Sequence, residues 1–496
     1  MMKSSRHDDA TTSALTRRTL VKAGLAAALM PGLAKAATTR KAPASPSAPA
    51  DVLVLGAGLS GLNAGLLLEE QGFRVTVLEG RSRVGGRVYS LTDIPGQPDA
   101  GGAVIAPGYA RLLDRAGQFG VPLRPLASPV DKNGPMAIHV SGQTIPAAQW
   151  AGSPLNPFPQ GPLRAVPPYA VGMAALRTSP PVLQSVGDWR EPAFADRDIS
   201  IADYLTAKGW TPEQLRLAFA VNPGYGNSAT DLSVLMMWHL QENMRIMAAD
   251  GSPVVQAVGG NARIPQAMAA ALKTEVRFNQ QVVGVRSDAA GVEAVTAEGQ
   301  VHRARWLLCT LPASTARLVR FDPALPLLQQ TAIDEITYNR TFQVFFEVAE
   351  PFWETDGLPA SMWTDTSAGR LMPLGALAGG PALLLAYVNG FAADLLSRMP
   401  PEQAVARVQE SITRIRPAAA GKLRVLHHVN WQDDPFAGGA YTCWRPGQIR
   451  AGFASAFDAP VGRIVFAGEH TARLARGMEG AMESGERAAL QLMELI

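Results

Sequence analysis

The chain has 496 residues, of which 47% are hydrophobic and 18% charged, so it can bury a large core and is long enough for two or three domains. The formal net charge is +3, but residues 1–36 carry six basic and two acidic side chains, a net +4, which leaves −1 for the remainder. Without a block of like charge, the composition gives no indication of a nucleic-acid partner. The two cysteines, Cys309 and Cys443, form neither a disulfide framework nor a metal-binding pattern, although one disulfide between them stays open.

The first 36 residues have the pattern of a twin-arginine export signal. Arg17 and Arg18 precede a modestly apolar segment, and Ala34-Lys35-Ala36 ends it. A membrane anchor is the alternative, but the apolar part is short and rich in alanine and glycine. We therefore expect the export machinery to recognise residues 1–36 and the protein to be periplasmic or secreted. Residues 37–50, rich in proline, alanine and serine, are predicted to be a linker.

The stretch from residue 51 to residue 79 predicts a strand–helix–strand unit. Val52–Leu55 and Val75–Leu78 are short apolar runs typical of buried strands, and apolar residues at helical spacing lie between them. Glycines in the G-x-G-x-x-G spacing connect the first strand to the helix. A turn of this kind places a diphosphate on the free N–H groups of the helix N-terminus.

Each special residue of this turn has a physical reason. Gly56 permits the tight turn, Gly58 lets a diphosphate approach the backbone, and Gly61 allows the helix and strand to pack closely. Ser60 lies in the same turn. Glu79, at the end of the second strand, can accept hydrogen bonds from ribose hydroxyls. Up to this point the residues predict a dinucleotide, either NAD or FAD.

The residues after Glu79 indicate which dinucleotide is bound. Residues 80–87 read GRSRVGGR, and arginines beside glycines can surround a diphosphate with positive charge and backbone N–H groups. Residues 78–87 resemble the flavin-containing, monoamine oxidase-like amine oxidase family, in which the unit continues as L-E-A-R-x-R-x-G-G-R and only Gly80 departs. The resemblance implies FAD. It also implies that Arg81 and Arg87 hold the diphosphate side, that Gly86 is a cofactor-binding residue, and that Gly101-Gly102-Ala103 lies by the flavin ring.

The middle of the chain is less specific. Residues 199–220 and 230–248 predict helices, and residues 128–186 predict loops and short strands. The methionines of the second helix could line a substrate pocket, but a core position is favoured, and its single His239 is predicted to be structural. Strands are predicted at 276–279, 281–285 and 306–311. In the amine oxidase family the counterpart of Val282 contacts the adenine through its backbone.

The most specific blocks lie near the C-terminus. Residues 467–472 read AGEHTA, and residues 477–481 read GMEGA at the start of a predicted helix, whose N–H groups would face a flavin carbonyl. In the family the counterpart of Glu469 binds the ribityl chain, and that of Met478 contacts the flavin through its backbone. The resemblance also places Gly468 and Trp431 among the cofactor-binding residues. It makes Trp431 and Tyr441 the catalytic candidates.

Three positions depart from the family. Ala440 stands where monoamine oxidases have the cysteine that tethers the flavin, so noncovalent FAD is expected. Tyr441 matches one of two aromatic rings that face the substrate amine, but Gly477 stands at the other, so the pocket is wider there or filled by another residue such as Trp444. A lysine near the flavin of many relatives maps near Leu318. The electron acceptor therefore stays open between O2 and a periplasmic protein such as a cytochrome.

The resemblance implies an α/β fold in which a Rossmann-type, glutathione reductase-like FAD-binding domain is interleaved with an α+β substrate domain. The FAD-binding domain is predicted at residues 51–127, 255–316 and 425–496, and the substrate domain at residues 128–254 and 317–424. The implied reaction is oxidative deamination of a small-molecule amine. A hydride equivalent passes from the carbon next to the nitrogen to flavin N5, and the imine hydrolyses to a carbonyl compound. A homodimer is also considered.

Other functions stay open at this stage. An L-amino-acid oxidase of the same superfamily needs a cation for the substrate carboxylate, for which Arg473 and Arg476 are candidates. A flavin desaturase acting on C–C bonds is disfavoured by the G-G-A-Y and G-M-E-G-A blocks. A non-catalytic flavoprotein differs in that no amine would bleach its flavin.

Overall fold

The structure, a computed structural model, describes residues 50–126, 135–249, 251–376 and 382–496. The predicted export signal lies outside these residues, as does the predicted linker apart from Ala50, which begins the first strand. None of the described helices is both long enough and apolar enough to cross a membrane.

The described residues form short strands and helices throughout. In chain order, the strands are β1 Ala50–Leu55, β2 Val75–Leu78, β3 Tyr89–Ser90, β4 Asp99–Gly101, β5 Leu123–Pro125, β6 Ala137–Val140, β7 Gln143–Pro146, β8 Val255–Ala257, β9 Val282–Ser287, β10 Val292–Thr296, β11 Val301–Cys309, β12 Arg320–Asp322, β13 Thr337–Tyr338, β14 Thr341–Val348, β15 Met362–Thr364, β16 Arg370–Ala376, β17 Ala382–Asn389, β18 Leu423–Asn430, β19 Thr442–Cys443 and β20 Ile464–Phe466. The α-helices are α1 Leu59–Glu70, α2 Ala110–Gln118, α3 Pro168–Ala175, α4 Ile201–Thr206, α5 Pro212–Leu215, α6 Val234–Met247, α7 Arg263–Ala271, α8 Ala313–Ala316, α9 Leu327–Glu335, α10 Phe352–Asp356, α11 Gly390–Ser397, α12 Pro401–Ile415 and α13 Gly477–Leu495.

The first sheet contains the strand–helix–strand unit on its parallel side. Its order in the described part of the chain is β12-β9-β10-β11-β1-β2, and β20 pairs with the last residues of β11. Strands β2, β1, β11 and β20 run parallel, whereas β9, β10 and β11 form an antiparallel meander. The carboxyl ends of the four parallel strands therefore meet at one edge, which is where ligands of open α/β sheets bind.

Two helices that bear small residues cover the parallel strands. Helix α1 packs against α13, and a Cβ added to Gly485 of α13 would lie 2.3 Å from the carbonyl oxygen of Ser60. The Asn63 side-chain amide donates to the carbonyl of Met482 at 3.0 Å. This close approach holds the N-terminal half of α13 beside the glycine turn of α1.

The second sheet is mostly antiparallel, with the order β18-β14-β17-β16-β15-β6-β7 in the described residues. The side chains of β14 alternate between its faces. Phe342, Val344 and Phe346 join an apolar core with α11 and α12, whereas Thr341 and Gln343 project to the opposite face. That opposite face is the one that borders the cavity described below.

Several predicted elements differ from the observed ones. Residues 276–279 were predicted to be a strand, but in this segment only Arg277 forms a bridge, an isolated parallel one with Leu78. Helix α3 lies in a region that was predicted to be loops and short strands. The helix was missed because its small and apolar residues show no helical period. Thr211 caps α5 and forms a capping box with Gln214. The two cysteines are buried and free, so the disulfide left open by the sequence does not form.

Strand pairing departs from the predicted domain boundaries at two places. Strand β12 falls in the predicted substrate domain but pairs with β9 of the first sheet, and β18 falls largely in the predicted FAD-binding domain but pairs with β14 of the second sheet. Hydrogen bonding between distant strands decides these positions, and a single sequence does not show which strands will pair. The division into two domains stays a prediction.

Candidate functional site

A cavity of about 740 Å³ lies where the carboxyl ends of the parallel strands face the second sheet. The cavity is lined by the residue directly after each of three strands, namely Gly56 after β1, Glu79 after β2 and Thr310 after β11, and by Gly468, two residues after the end of β20. The predicted cofactor and substrate residues in its wall are Gly56, Gly58, Ser60, Glu79, Arg81, Gly86, Arg87, Gly102, Ala103, Val282, Trp431, Tyr441, Gly468, Glu469, Gly477 and Met478. Of the predicted site residues, Gly61 and Trp444 are the ones that lie outside it.

The glycines of the first turn have different surroundings. Gly56 has φ +101°, a conformation that L side chains rarely adopt, and a Cβ at Gly61 would lie 2.1 Å from the carbonyl oxygen of Gly56. No atom lies within 4 Å of a Cβ added to Gly58, which faces the cavity. Gly86 backs onto this position, with 3.7 Å between its added Cβ and the Cα of Gly58. Gly58 and Gly86 thus form an open cradle, whereas Gly61 is a packing residue.

Glu79 is buried at the end of β2 and is held by backbone donors. Its Oε2 accepts from the N–H of Ala57 at 2.8 Å, and its Oε1 accepts from the N–H of Arg81 at 2.9 Å. Each carboxylate oxygen keeps a further acceptor position. The carboxylate is therefore fixed at the cavity wall with capacity for a hydroxyl donor.

Two arginines of the 80–87 segment are tied to the C-terminal part of the chain. Arg81 donates two hydrogen bonds to Asp434, at 2.8 and 2.6 Å. Arg87 donates to the carbonyl of Ala440 at 2.9 Å and to Glu469 Oε2 at 3.4 Å. Asp434 was not predicted from the sequence, because acidic residues in a loop without a motif give no signal.

Glu469 is the best-connected carboxylate of the cavity. It accepts from the hydroxyl of Thr442 at 2.7 Å and from its N–H at 3.2 Å, in addition to Arg87. Burial on its own would raise the pKa of Glu469, but the charges of Arg87 and Arg476 and the Thr442 hydrogen bond outweigh it, so the pKa is lowered. Glu469 is therefore ionised at neutral pH although its side chain is only 7% exposed.

Another part of the cavity wall brings together residues from distant parts of the sequence. The indole N–H of Trp431 donates to the carbonyl of Ala100 at 3.2 Å, and a Cβ at Gly102 would meet the sulfur of Met478 at 2.9 Å. Gly102, Trp431 and Met478 therefore form one wall. The family resemblance predicted Gly102, Trp431 and Met478 as cofactor-binding residues, and all three line the cavity; their contact with FAD stays a prediction.

An aromatic wall surrounds Tyr441. The ring of Tyr225 stacks on Tyr441 with 4.6 Å between centroids and 29° between planes. Burial raises the pKa of Tyr441 well above its ordinary value and that of Tyr387 to about 12, so both phenols stay neutral. Near Gly477 the nearest atom to an added Cβ is the hydroxyl of Tyr109, at 3.4 Å. Tyr109, Tyr225 and Tyr387 also line the cavity and were missed, because single aromatics in irregular or buried segments carry no motif.

The suggestion that Trp444 fills the space near Gly477 is wrong. Trp444 is buried in the core, with its ring centroid 6.2 Å from that of Trp189, and its backbone N–H donates to the sulfur of Met236 at 3.1 Å. The chain leaves the cavity wall as Thr442–Cys443 pairs with β13. The large indole then packs in the core beside Trp189 and does not line the cavity.

The two arginines considered for a substrate carboxylate also lie outside the cavity wall. Arg473 pairs with Asp458 at 3.2 Å. Arg476 is buried behind the wall, where it donates to the hydroxyl of Tyr225 at 3.1 Å and to the carbonyl of Thr442 at 2.8 Å. Leu318, where the family lysine was mapped, does line the cavity. In the part of the chain that the structure describes, the cationic side chains of the wall are arginines and none is lysine.

His239 of α6 lies in the core and does not reach the cavity. Its ring stacks on Trp189 with centroids 4.6 Å apart, and its Nε2 is 3.1 Å from the carbonyl oxygen of Leu474. The buried methionines of the same helix, Met236 and Met237, also belong to the core. Among the described residues no group of three or more histidine, cysteine or acidic side chains is placed to hold a metal ion.

The burial of His239 predicts a pH-dependent contribution to stability. Burial, with a smaller effect of Arg476, lowers the pKa of His239 from 6.5 to about 3. Because the folded pKa is depressed, the contribution is present above pH 6.5 and is lost as the pH falls toward 3, by about 2 kcal/mol at pH 5. His239→Phe keeps the ring stack, and Leu474 keeps its bond from Asn243 at 3.2 Å. We expect the variant to lose less stability than the parent between pH 7.5 and 5 in denaturant titrations; equal losses would contradict this.

The chain is similar to known proteins over most of its length. A family model described as "Flavin containing amine oxidoreductase" matches residues 59–493. The flavin-containing amine oxidase of Danio rerio is 28% identical over 457 residues, which cover 89% of this chain and 85% of that protein. The flavin-containing amine oxidase B of Homo sapiens is 26% identical over 466 residues, covering 89% and 86%.

Solved structures show the same fold. Cyclohexylamine oxidase from Brevibacterium oxydans IH-35A has a TM-score of 0.74 at 23% identity, covering 90% of this chain and 99% of that one. Wild-type putrescine oxidase bound to putrescine has a TM-score of 0.73 at 22% identity, with the same coverage. These similarities confirm the predicted fold class, an α/β fold with a Rossmann-type FAD-binding part and an α+β part.

Proposed function

Because the chain belongs to the flavin-containing amine oxidoreductase family and is an FAD-dependent enzyme of amine oxidation, we propose that it catalyses the oxidative deamination of a small-molecule amine. The observation that carries the proposal is that predicted cofactor and substrate residues, separated by up to about 400 positions, line a single cavity at the carboxyl ends of four parallel strands.

The residues of the cavity fit FAD. The open cradle of Gly58 and Gly86 and the N-terminus of α1 suit a diphosphate, Glu79 suits a ribose, and Glu469 suits the ribityl hydroxyls. Neither cysteine of the chain lines the cavity, and Ala440 does, so we propose that FAD is bound noncovalently. Bound FAD supplies the acceptor for a hydride equivalent from the carbon next to the amine nitrogen, at flavin N5.

The chain's own residues act by binding and by excluding water. Tyr441, supported by Tyr225, forms an apolar wall against which an amine and its α-carbon can be held. An apolar wall that excludes water favours the neutral amine over the ammonium ion, and the neutral amine is the form that can be oxidised. When the imine product leaves the cavity, water hydrolyses it to a carbonyl compound and ammonia or a smaller amine. No side-chain nucleophile is needed for these steps.

The role of Tyr441 can be tested together with the reaction. We expect purified protein to form a carbonyl product and ammonia or a smaller amine from at least one member of a panel of primary and secondary amines. Tyr441→Leu should lower kcat/KM for that amine about tenfold, because an aromatic contact worth about 1.4 kcal/mol is lost. Tyr204, which packs on Trp238 outside the cavity, provides the control variant Tyr204→Leu. If Tyr441→Leu and Tyr204→Leu behaved alike, the proposed role of Tyr441 would be wrong.

The electron acceptor and the location belong to the same proposal. We propose that electrons pass to O2, giving H2O2, or to a periplasmic electron-transfer protein. Repeating the amine panel with O2 and with a cytochrome distinguishes the two acceptors.

The Arg17-Arg18 pattern supports export to the periplasm or medium. Fractionation of cells that express the full chain, beside a variant with lysine at both positions, tests export; retention of both chains in the cytoplasm would contradict it. The homodimer stays a prediction, which a measurement of the molar mass in solution by light scattering can test.

A further inference from the structure

One cation of the cavity wall has no acidic partner. In the described residues, three arginines line the cavity: Arg81 pairs with Asp434 at 2.6 Å, Arg87 pairs with Glu469 at 3.4 Å, and Arg370 pairs with no carboxylate. The Arg370 guanidinium instead lies 4.4 Å from the ring centre of Tyr169. Its Nε is buried and has no hydrogen-bond partner in the part of the chain that the structure describes.

Strand register places Arg370 in a row of polar groups on the cavity face of the second sheet. Tyr387 of β17 is paired with Gln343 of β14 on one side and with Arg370 of β16 on the other. Directly paired residues of neighbouring strands project to the same face, so the three side chains lie side by side. Thr341, two residues before Gln343, shares that face, and all four line the cavity.

This row contains further unsatisfied polar atoms. Gln343 Oε1 and Thr341 Oγ1 are buried and have no hydrogen-bond partner among the described residues. Buried polar groups are nearly always paired, and a lone buried charge is costlier than a neutral group. Burial lowers the pKa of Arg370 below its ordinary value, against the opposing influence of Tyr169 and Tyr387. The row is therefore built to meet a polar ligand.

The other acidic groups of the cavity do not supply the missing partner. Glu79 accepts from the N–H groups of Ala57 and Arg81, and Glu469 is paired with Arg87 and Thr442. Asp99 accepts from the hydroxyl of Ser90 and from the N–H of Asn261 at 2.9 Å. Within the described residues the cavity therefore offers Arg370 no carboxylate, and we expect the ligand to supply the anionic group.

We propose that Arg370 binds a carboxylate of the amine substrate, so that the enzyme acts on amines that also carry a carboxylate. This inference rests on the proposed function and names its substrate class. The planar guanidinium is suited to a carboxylate because it presents parallel N–H donors. Gln343 and Thr341 offer neutral hydrogen-bonding groups beside it for the remaining polar atoms of the substrate.

The first test compares matched substrates. Amino acids with the carboxylate at increasing distance from the amine are each paired with their carboxamides. We expect the wild-type protein to favour at least one carboxylate over its amide by about tenfold or more in kcat/KM. Arg370→Gln should lower that ratio at least about tenfold, and Arg370→Lys, which keeps the charge but not the fork, should lie between them. Arg398→Gln, at an exposed pair with Asp394, is the control and should leave the ratio unchanged.

The second test measures binding without turnover. Titration calorimetry with benzoate and with neutral benzamide should show tighter binding of benzoate by the wild-type holoprotein, and loss of that difference in Arg370→Gln. Tyr169→Leu removes the ring beneath the guanidinium but keeps the charge, so it should retain the preference. A purely structural role for Arg370 predicts the opposite, namely equal loss of both ligands in both variants.

The outcomes separate the two proposals. If the wild-type protein oxidised amines but treated carboxylates and amides alike, the inference about Arg370 would be overturned and the proposed function would stand. If no amine were oxidised, the proposed function would fail, and the benzoate titration would still decide whether Arg370 forms an anion site. An equal effect of Arg370→Gln on carboxylates and amides would also overturn the inference.

Discussion

Gly61→Ala is expected to abolish the folded, FAD-binding protein, whereas Gly58→Ala should leave the fold intact and weaken FAD binding about tenfold or more. A Cβ added at Gly61 would lie 2.1 Å from the carbonyl oxygen of Gly56, 3.0 Å from the Thr310 hydroxyl and 3.1 Å from Val54. The carbonyl oxygen of Gly56 is part of a buried turn and cannot move far enough to relieve this contact. Helix α1 would therefore have to separate from β1.

Gly58 differs because it faces space and not protein. Its φ of −78° suits any residue, and no atom lies within 4 Å of an added Cβ. The new methyl group would stand in the cavity wall, where the diphosphate is expected to approach. Gly117→Ala in α2 is the matched control, since an added Cβ also meets no atom there and the site is remote from the cavity.

The measurement is the yield of soluble protein, its thermal unfolding midpoint, and the FAD dissociation constant of the apoprotein by fluorescence titration. If Gly58→Ala bound FAD as tightly as Gly117→Ala, the proposed approach of the diphosphate to Gly58 would be wrong. If Gly61→Ala folded and bound FAD normally, the expected clash between the Gly61 position and the Gly56 carbonyl would be wrong.

Glu469→Gln is expected to destabilise the protein by about 3 kcal/mol and to impair FAD binding, because it leaves the Arg87 charge without its buried partner. In the described residues, the carboxylate oxygens of Glu469 accept hydrogen bonds from the Thr442 hydroxyl, the Thr442 N–H and the Arg87 guanidinium. An amide group at this place would direct its own N–H groups at one or more of these donors. Both the lost charge and the mismatched hydrogen bond act in the same direction.

Glu347→Gln is the matched control for Glu469→Gln. Glu347 forms a two-bond pair with Arg424, at 2.9 and 2.7 Å, but the Arg424 side chain is 65% exposed. An exposed pair contributes less than about 1 kcal/mol, so this variant should unfold close to the parent. Equal unfolding midpoints and equal FAD affinities for the two variants would show that the Arg87–Glu469 pair does not hold the cavity wall.

Much of the cofactor side could be predicted because its motifs are local. The strand, the glycine turn and Glu79 lie within about 30 residues, and each has a physical reason that can be read from spacing. The C-terminal blocks that contain Glu469 and Met478 were recognised through resemblance. Their meeting with the first turn follows from β20 lying beside β11 in the parallel part of the sheet.

The substrate side could not be predicted in the same way. Tyr225 lies in an irregular segment, and Tyr387 and Arg370 lie on strands whose pairing decides which face they share. The error at Trp444 has the same origin, because a short strand between Tyr441 and Trp444 turns the second residue into the core. Long-range register, which a single sequence does not reveal, determines the substrate wall.

The measurement that tests the central claim most directly is anaerobic mixing of the FAD-loaded protein with the amine panel while the flavin absorbance near its visible maximum is followed. We predict that at least one amine bleaches the flavin and that a stoichiometric amount of carbonyl product forms in a single turnover. A flavin that stays oxidised with every primary amine, secondary amine and amino acid tested would contradict the account and favour a non-catalytic flavoprotein.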